Sequence, residues 1–100
     1  MTAVPVVRIA LVTGGSGQLG RHVVERLIED GVKTHVPILD ATEVTAVNEL
    51  LGDRSREVSF HMGADLTDAA VVGGIVRAVE AQEGRAPNVL LNLDETVTRE

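Results

Sequence analysis

The feature that most restricts this chain is the run Thr13-Gly14-Gly15-Ser16-Gly17-Gln18-Leu19-Gly20, a glycine-rich turn set between an apolar stretch and an amphipathic one. From Val6 to Thr13 the residues are almost all Val, Ile, Leu and Ala, the pattern of a strand buried on both faces. After Gly20, Val23, Val24, Leu27 and Ile28 share one helical face, and Arg21, Glu25, Arg26 and Glu29 share the other. Gly31 closes that helix as a C-terminal cap. A strand that passes through a glycine turn directly into a helix opens a βαβ unit, and such units build parallel sheets whose faces must be covered by helices.

The rest of the chain repeats the alternation. Thr34 to Leu39 reads as a second strand, with Pro37, which cannot donate to a ladder, directing its end toward a sheet edge or irregular geometry. Val44, Val47, Leu50 and Leu51 mark a short helix that begins at Thr42 as cap and ends at Gly52, and Arg54 to Glu57 is a polar connection. Val58 to Met62 is a third strand. A loop carrying Asp65 follows, then a helix capped by Thr67 or Asp68 with Val72, Ile75, Val76 and Val79 as its buried face. Gly73 and Gly74 each weaken that helix by up to ~1 kcal/mol relative to Ala, so close packing on the sheet is their expected use. Gly84 and Pro87 stop it, and Asn88 to Leu93 is a fourth strand. The order βαβαβαβ, with right-handed crossovers, predicts an α/β, Rossmann-like parallel sheet of strand order 3-2-1-4 with helices on both faces.

One domain is expected over residues 1–100, since a chain of this length with 44% hydrophobic residues fills a single core. Only one aromatic residue is present, Phe60, so that core must be built from branched aliphatics. A net charge of −6 and a pI near 4.9 argue against a protein that coats nucleic acid or an anionic membrane. With no cysteine, neither disulfides nor thiolate metal sites are available. Pro5 and Arg8 interrupt the N-terminal apolar residues, and no run approaches the ~18 to 20 residues of a membrane span. A cytoplasmic protein without membrane or nucleic-acid partners is the expectation.

Gly15, Gly17 and Gly20 form the pattern G-x-G-x-x-G, in which one glycine permits the tight turn, one lets backbone approach a pyrophosphate, and one allows the helix to pack on the sheet. The helix that starts here would aim free N–H groups and the positive end of its dipole at phosphates. Leu19 is expected to plug the loop into the core. Asp40 stands twenty positions beyond Gly20, where a carboxylate that accepts from an adenosine ribose belongs, although a helix cap before Ala41 and Thr42 explains it equally well. If it faces a ribose, NAD is favoured over NADP, because a 2′-phosphate would be repelled and the loop holds no Lys or Arg to neutralise it.

Thr13-Gly-x-x-Gly17-x-x-Gly20 resembles the glycine motif of the short-chain dehydrogenase/reductase family, especially its extended or atypical members. Gly63-Ala64-Asp65-Leu66-Thr67-Asp68 is similar to the turn after strand three in that family, and Pro87-Asn88-Val89-Leu90-Leu91-Asn92 to its strand four, so the resemblance spans roughly residues 6 to 92. It implies that Asp65 hydrogen-bonds the adenine amino group, with the Leu66 backbone beside it, and that Asn92 lies near the nicotinamide ribose. The candidate cofactor-binding set is then Gly14, Gly15, Ser16, Gly17, Gln18, Leu19, Gly20, Asp40, Asp65, Leu66 and Asn92. After Asn92 the sequence continues Leu93-Asp94-Glu95, where the family has Ala-Gly. The family's catalytic Ser and Tyr-x-x-x-Lys are missing too, for there is no tyrosine and the only lysine is Lys33. In the family, strand four is flanked on both sides, so here it is expected to present an open edge through which two copies could pair.

Other residues attract plainer readings. His22, His35 and His61 lack the spacing of a metal site and read as structural or surface residues. Ser16 and Thr13 have no visible general base and read as hydroxyls that order the loop, and Asp94 with Glu95 reads as a solvated tail. Three functions fit. The first is a dinucleotide-binding domain related to an oxidoreductase, without catalysis of its own. The second is an interaction module on the same fold. The third, a truncated product of an active oxidoreductase, has the same residues as the first.

Overall fold

The computed structural model describes residues 7–93. Four parallel strands, β1 (Ile9–Thr13), β2 (Lys33–Ile38), β3 (Val58–Met62) and β4 (Val89–Asn92), form one sheet in the order β3-β2-β1-β4. Helices α1 (Gln18–Glu29), α2 (Ala41–Leu51) and α3 (Ala69–Glu83) connect them, with a 3₁₀ turn at Gly52–Glu57. This is the Rossmann-like topology expected from the alternation of apolar runs. Val24 and Ile28 of α1 and Val47 and Leu51 of α2 pack with Ala10, Val12, Val36 and Val58 on one face of the sheet. Ile75 and Val79 of α3 pack with Ile9, Leu11 and Ala64 on the other. Among the described residues, no helix is long and apolar enough to cross a membrane.

Boundaries move for local reasons. Val6 lies outside the described residues, and Val7 and Arg8 are exposed, so β1 begins only where its ladder does, at Ile9 paired with Lys33. Asn88 is not in β4 but clamps its start: its Oδ1 accepts from Ile9 N at 2.8 Å and its Nδ2 donates to Val7 O at 2.9 Å. The second strand runs Lys33–Ile38, leaving Leu39 exposed. Asp40, not Thr42, caps α2, and Asp68 caps α3, its side chain accepting from Ala70 N. The connection at Arg54 is held as a 3₁₀ turn by that guanidinium, which reaches Glu25 and Glu29 of α1.

Pro37 does not mark an edge. It sits in β2, which has neighbours on both sides, opposite His61 of β3. The β1 register ends at His35, so Pro37 lies past the paired stretch on that side, just where β1 turns into its glycine loop. Gly73 and Gly74 do not pack on the sheet either. A Cβ on Gly73 would touch only the Arg77 side chain, at 3.4 Å, and one on Gly74 would meet nothing within 4 Å. The expected outcome for Gly74→Ala is therefore a gain of roughly 0.5 to 1 kcal/mol, read as a higher melting temperature. A fall in melting temperature would show that the missing side chain is needed for a contact at that point of α3.

Two of the three histidines meet inside the fold. His35 is fully buried; its Nε2 lies 2.7 Å from Glu83 Oε2, and its Nδ1 lies 2.9 Å from His61 Nε2, with the rings stacked at 5.1 Å. A carboxylate only accepts, so Nε2 of His35 carries the proton of the first contact, and a single proton fills the second. This relay fastens the end of α3 to β2 and β3, assisted by Gln82 Nε2 donating to Ser59 Oγ at 2.8 Å. Burial, and secondarily the charge that His35 would carry, push the His61 pKa below its usual 6.5. A depressed pKa means that the unfolded chain binds the proton first. Stability from this group is therefore complete above about pH 6.5 and lost as pH falls below that toward the lower folded value. Melting curves should drop between pH 7 and 5, and His61→Gln should flatten that slope; an equally steep slope in the variant would place the acid sensitivity elsewhere.

Candidate functional site

The glycines divide their tasks differently from the simple three-glycine reading. The turn out of β1 is made by Gly14, whose φ of 75° is left-handed. Gly15 packs inward, where a Cβ would stand 2.9 Å from Val36 and 3.1 Å from Val24. Gly20 is the tightest: a Cβ there would collide with the Gly14 carbonyl oxygen and come within 2.8 Å of Gly15 Cα. Only Gly17 is loosely surrounded, its nearest neighbour being the Gly14 oxygen at 3.4 Å. It is the cap of α1, in extended conformation at φ −69° and ψ 174°, with its own N–H donating to Gly14 O at 3.1 Å.

The helix thus begins at Gln18, two residues before Gly20. The N–H groups of Gln18, Leu19 and Gly20 form its first turn and have no helical carbonyl to meet, the first helical bond being Arg21 N to Gly17 O. Leu19 does not plug the loop into the core. At 60% exposure it stands at the surface, because the buried stripe of α1 is Gly20, Val24 and Ile28 and the preceding residue is turned away from it.

Ser16 ties this loop to α2. Its hydroxyl donates to Glu43 Oε1 at 2.6 Å, while Oε2 of the same carboxylate accepts from Leu39 N at 3.0 Å and Asp40 N at 2.8 Å. Asp40 Oδ1 accepts in turn from Thr42 N at 2.9 Å, so Asp40 and Glu43 form a capping box. These bonds from Thr42 draw the exposed Asp40 pKa below the usual carboxylate value. The cap, one of two roles open to Asp40 on spacing, is thus realised. Glu43 was not among the sequence candidates, although the Asp40-x-x-Glu43 pattern was there to be read.

Asp65 lies in the turn after β3, where Gly63 takes a φ of 70°. Its Oδ1 accepts from Thr67 Oγ1 at 2.6 Å and Thr67 N at 3.0 Å, contacts that lower its pKa, the hydroxyl first. Gly14, Leu39, Glu43, Asp65, Leu66 and Thr67 line a cavity of about 360 Å³ beside the glycine loop. A second cavity of about 350 Å³ opens on the α3 side, bordered by Thr13, Leu66, Leu90 and Asn92. Asn92 Oδ1 accepts from Thr13 Oγ1 at 2.7 Å, joining the ends of β4 and β1. The fold therefore gathers Gly14, Asp65 and Leu66 round one cavity and sets Asn92 on the other, with Leu66 bordering both. Among the described residues there is no group of three side chains able to hold a metal ion.

The same arrangement occurs in known proteins. Residues 11–83 match the family described as GDP-mannose 4,6 dehydratase. Among solved structures, a protein described as a 3-oxoacyl-reductase from Bacillus thuringiensis superposes with a TM-score of 0.76 at 28% identity, over 95% of this chain and 39% of that one. Salutaridine reductase from Papaver somniferum superposes at 0.70 and 27% identity, over 83% of this chain and 28% of its own. Actinorhodin polyketide ketoreductase with NADPH superposes at 0.73 and 23% identity, over 86% and 32%, the last a likeness of fold alone. No curated protein matches in sequence. The chain thus spans well under half the length of these solved relatives, and the stretch that matches the family holds both the glycine loop and the Asp65 turn. On the match from β1 through α3, and on a strand order common to these neighbours, the chain belongs to the short-chain dehydrogenase/reductase family, in the part of it described as GDP-mannose 4,6 dehydratase.

Proposed function

We propose that this chain supplies the adenosine and pyrophosphate half of a nicotinamide dinucleotide site in an oxidoreductase of this family. One observation carries the reading. Of the glycines in the loop, Gly14, Gly15 and Gly20 are each required by a turn or a close contact, whereas Gly17 is required by neither and sits at the mouth of α1. Space for a Cβ that is left unfilled, beside the unpaired N–H groups of Gln18, Leu19 and Gly20, is what a phosphate needs in order to reach backbone. The cavity beyond the loop extends this cradle to Asp65 and Leu66, the adenine-side candidates, while Thr13 and Asn92 stand at the nicotinamide side. When bound, the nicotinamide ring supplies hydride transfer. The residues of this chain bind, orient and select. The negative charge at the start of α2 favours NAD over NADP.

Gly17→Val is the direct test. Its Cβ lies 3.4 Å from the Gly14 oxygen, an ordinary contact, so the fold is expected to survive while the branched side chain occupies the phosphate path. Calorimetric titration should show NAD binding by the wild-type chain and at least a hundredfold weaker binding by the variant (about 2.7 kcal/mol). Equal affinity in the two would remove the loop from the reading.

We further propose that β4 mediates self-association. Among the described residues it is an edge strand, and Leu90 on it is 71% exposed, with no proline or lysine in the strand to deter pairing. Val89 and Leu91 instead pack against the core cluster under α1 and α2. Leu90→Lys is therefore the informative substitution. Light scattering is expected to report a dimer or larger species for the wild type and a folded monomer for the variant; a wild-type monomer at high concentration would end the proposal.

A further inference from the structure

Two carboxylates open α2, and they are used differently. Asp40 holds Thr42 N and does not border the cavity beside the glycine loop. Glu43 does border it, half-buried, together with Leu39 and Asp65. Its three donors come from two directions: Leu39 N and Asp40 N from its own helix start, and Ser16 Oγ from the loop 27 residues earlier. Among the described residues, no Lys or Arg lines this cavity.

We propose that Glu43, rather than Asp40, is the residue that positions the glycine loop and selects against a 2′-phosphate on the adenosine ribose. The proposal rests on the reading of this cavity as the adenosine site. Ribose hydroxyls donate to a carboxylate, whereas a phosphate group beside it faces like charge without a cation to offset it. Glu43 cannot swing aside at low cost, since doing so releases Leu39 N, Asp40 N and Ser16 together. Asp40 belongs to the same cap but does not line the cavity, although twenty residues beyond Gly20 it occupies the position where a ribose acceptor is looked for.

The experiment is titration of the full 100-residue chain with NAD and with NADP, with melting curves to verify folding. Wild type should prefer NAD. Glu43→Gln keeps an acceptor but removes the charge, and should narrow the NAD to NADP affinity ratio by about tenfold. Ser16→Ala breaks the tie but keeps the charge, and should weaken both nucleotides alike. Should Glu43→Gln fail to fold, the wild-type ratio itself carries the test: it should shrink as ionic strength rises from roughly 0.02 to 0.5 M, because screening weakens repulsion between charges that solvent still reaches. A ratio unmoved by Glu43→Gln in a variant that still binds NAD, or indifferent to salt, overturns the role of Glu43 and leaves the dinucleotide reading standing. An Asp40→Asn variant that shifts the ratio as far would transfer selection to Asp40 and overturn it as well. A wild-type chain that binds neither nucleotide overturns both.

Discussion

Everything in this fold near the carboxyl ends of the strands depends on a contact where no side chain fits, that between Gly20 and the carbonyl of Gly14. It brings the first turn of α1 down onto the loop that leaves β1. From there the stripe Gly20, Val24 and Ile28 lies against the sheet, with Gly15 pressed between Val24 and Val36. The close approach fixes where α1 begins and therefore where its unpaired N–H groups point. A methyl group at either position would lift the helix off β1 and β2, and with it the one loosely packed glycine of this loop, Gly17. The site is in this sense a by-product of packing: Gly14 makes the turn, Gly15 and Gly20 allow close packing, and Gly17 is the loop glycine left over.

The alternation of apolar runs and helical stripes was enough to order the strands 3-2-1-4, because a parallel sheet with short right-handed crossovers admits few alternatives. What could not be read is what depends on the third dimension. Pro37 suggested an edge because a proline lacks an N–H, but β1 ends its register before reaching it, so an inner strand tolerates it. His35 and His61, 26 residues apart, showed no spacing signal, yet adjacent parallel strands bring them within 2.9 Å of each other and of a helix that delivers Glu83. Leu19 read as a core residue because leucine in a loop usually is one. The helix start at Gln18 rotated it outward instead. Glu43 is legible in the sequence as the last residue of an Asp40-x-x-Glu43 capping box, but its bond to Ser16 depends on the fold.

The capping box has a second consequence. A cap ordinarily stabilises only its own helix. Here the glutamate of the box also accepts from Ser16, so the end of β2, the start of α2 and the loop after β1 share one carboxylate. Asp65 does something similar one crossover later, where its contacts to Thr67 shape the turn that borders the same cavity. Both acidic residues are thus held in place by neighbouring donors, which lowers the entropy to be lost when a ligand meets them.

The two faces of the sheet are unequally finished, and this bears on the other end of the site. Helices α1 and α2 cover Ala10, Val12, Val36 and Ile38, and the inward residues of β4 join them. Among the described residues the opposite face is covered by α3, which reaches Ile9 and Leu11 but leaves Leu90 bare and Val72 partly so. Between them lies the cavity that also touches Thr13 and Asn92, whose hydrogen bond closes the ends of β1 and β4. An apolar group that covered Leu90 would therefore also take water from the Thr13 and Asn92 pair and strengthen the polar contacts there, since such contacts gain as the local dielectric falls. Burial of the strand and closure of the cavity at Thr13 and Asn92 are coupled by this geometry, while the cavity beside the glycine loop, bordered by Glu43 of α2 and the Asp65 turn, is not lined by β4.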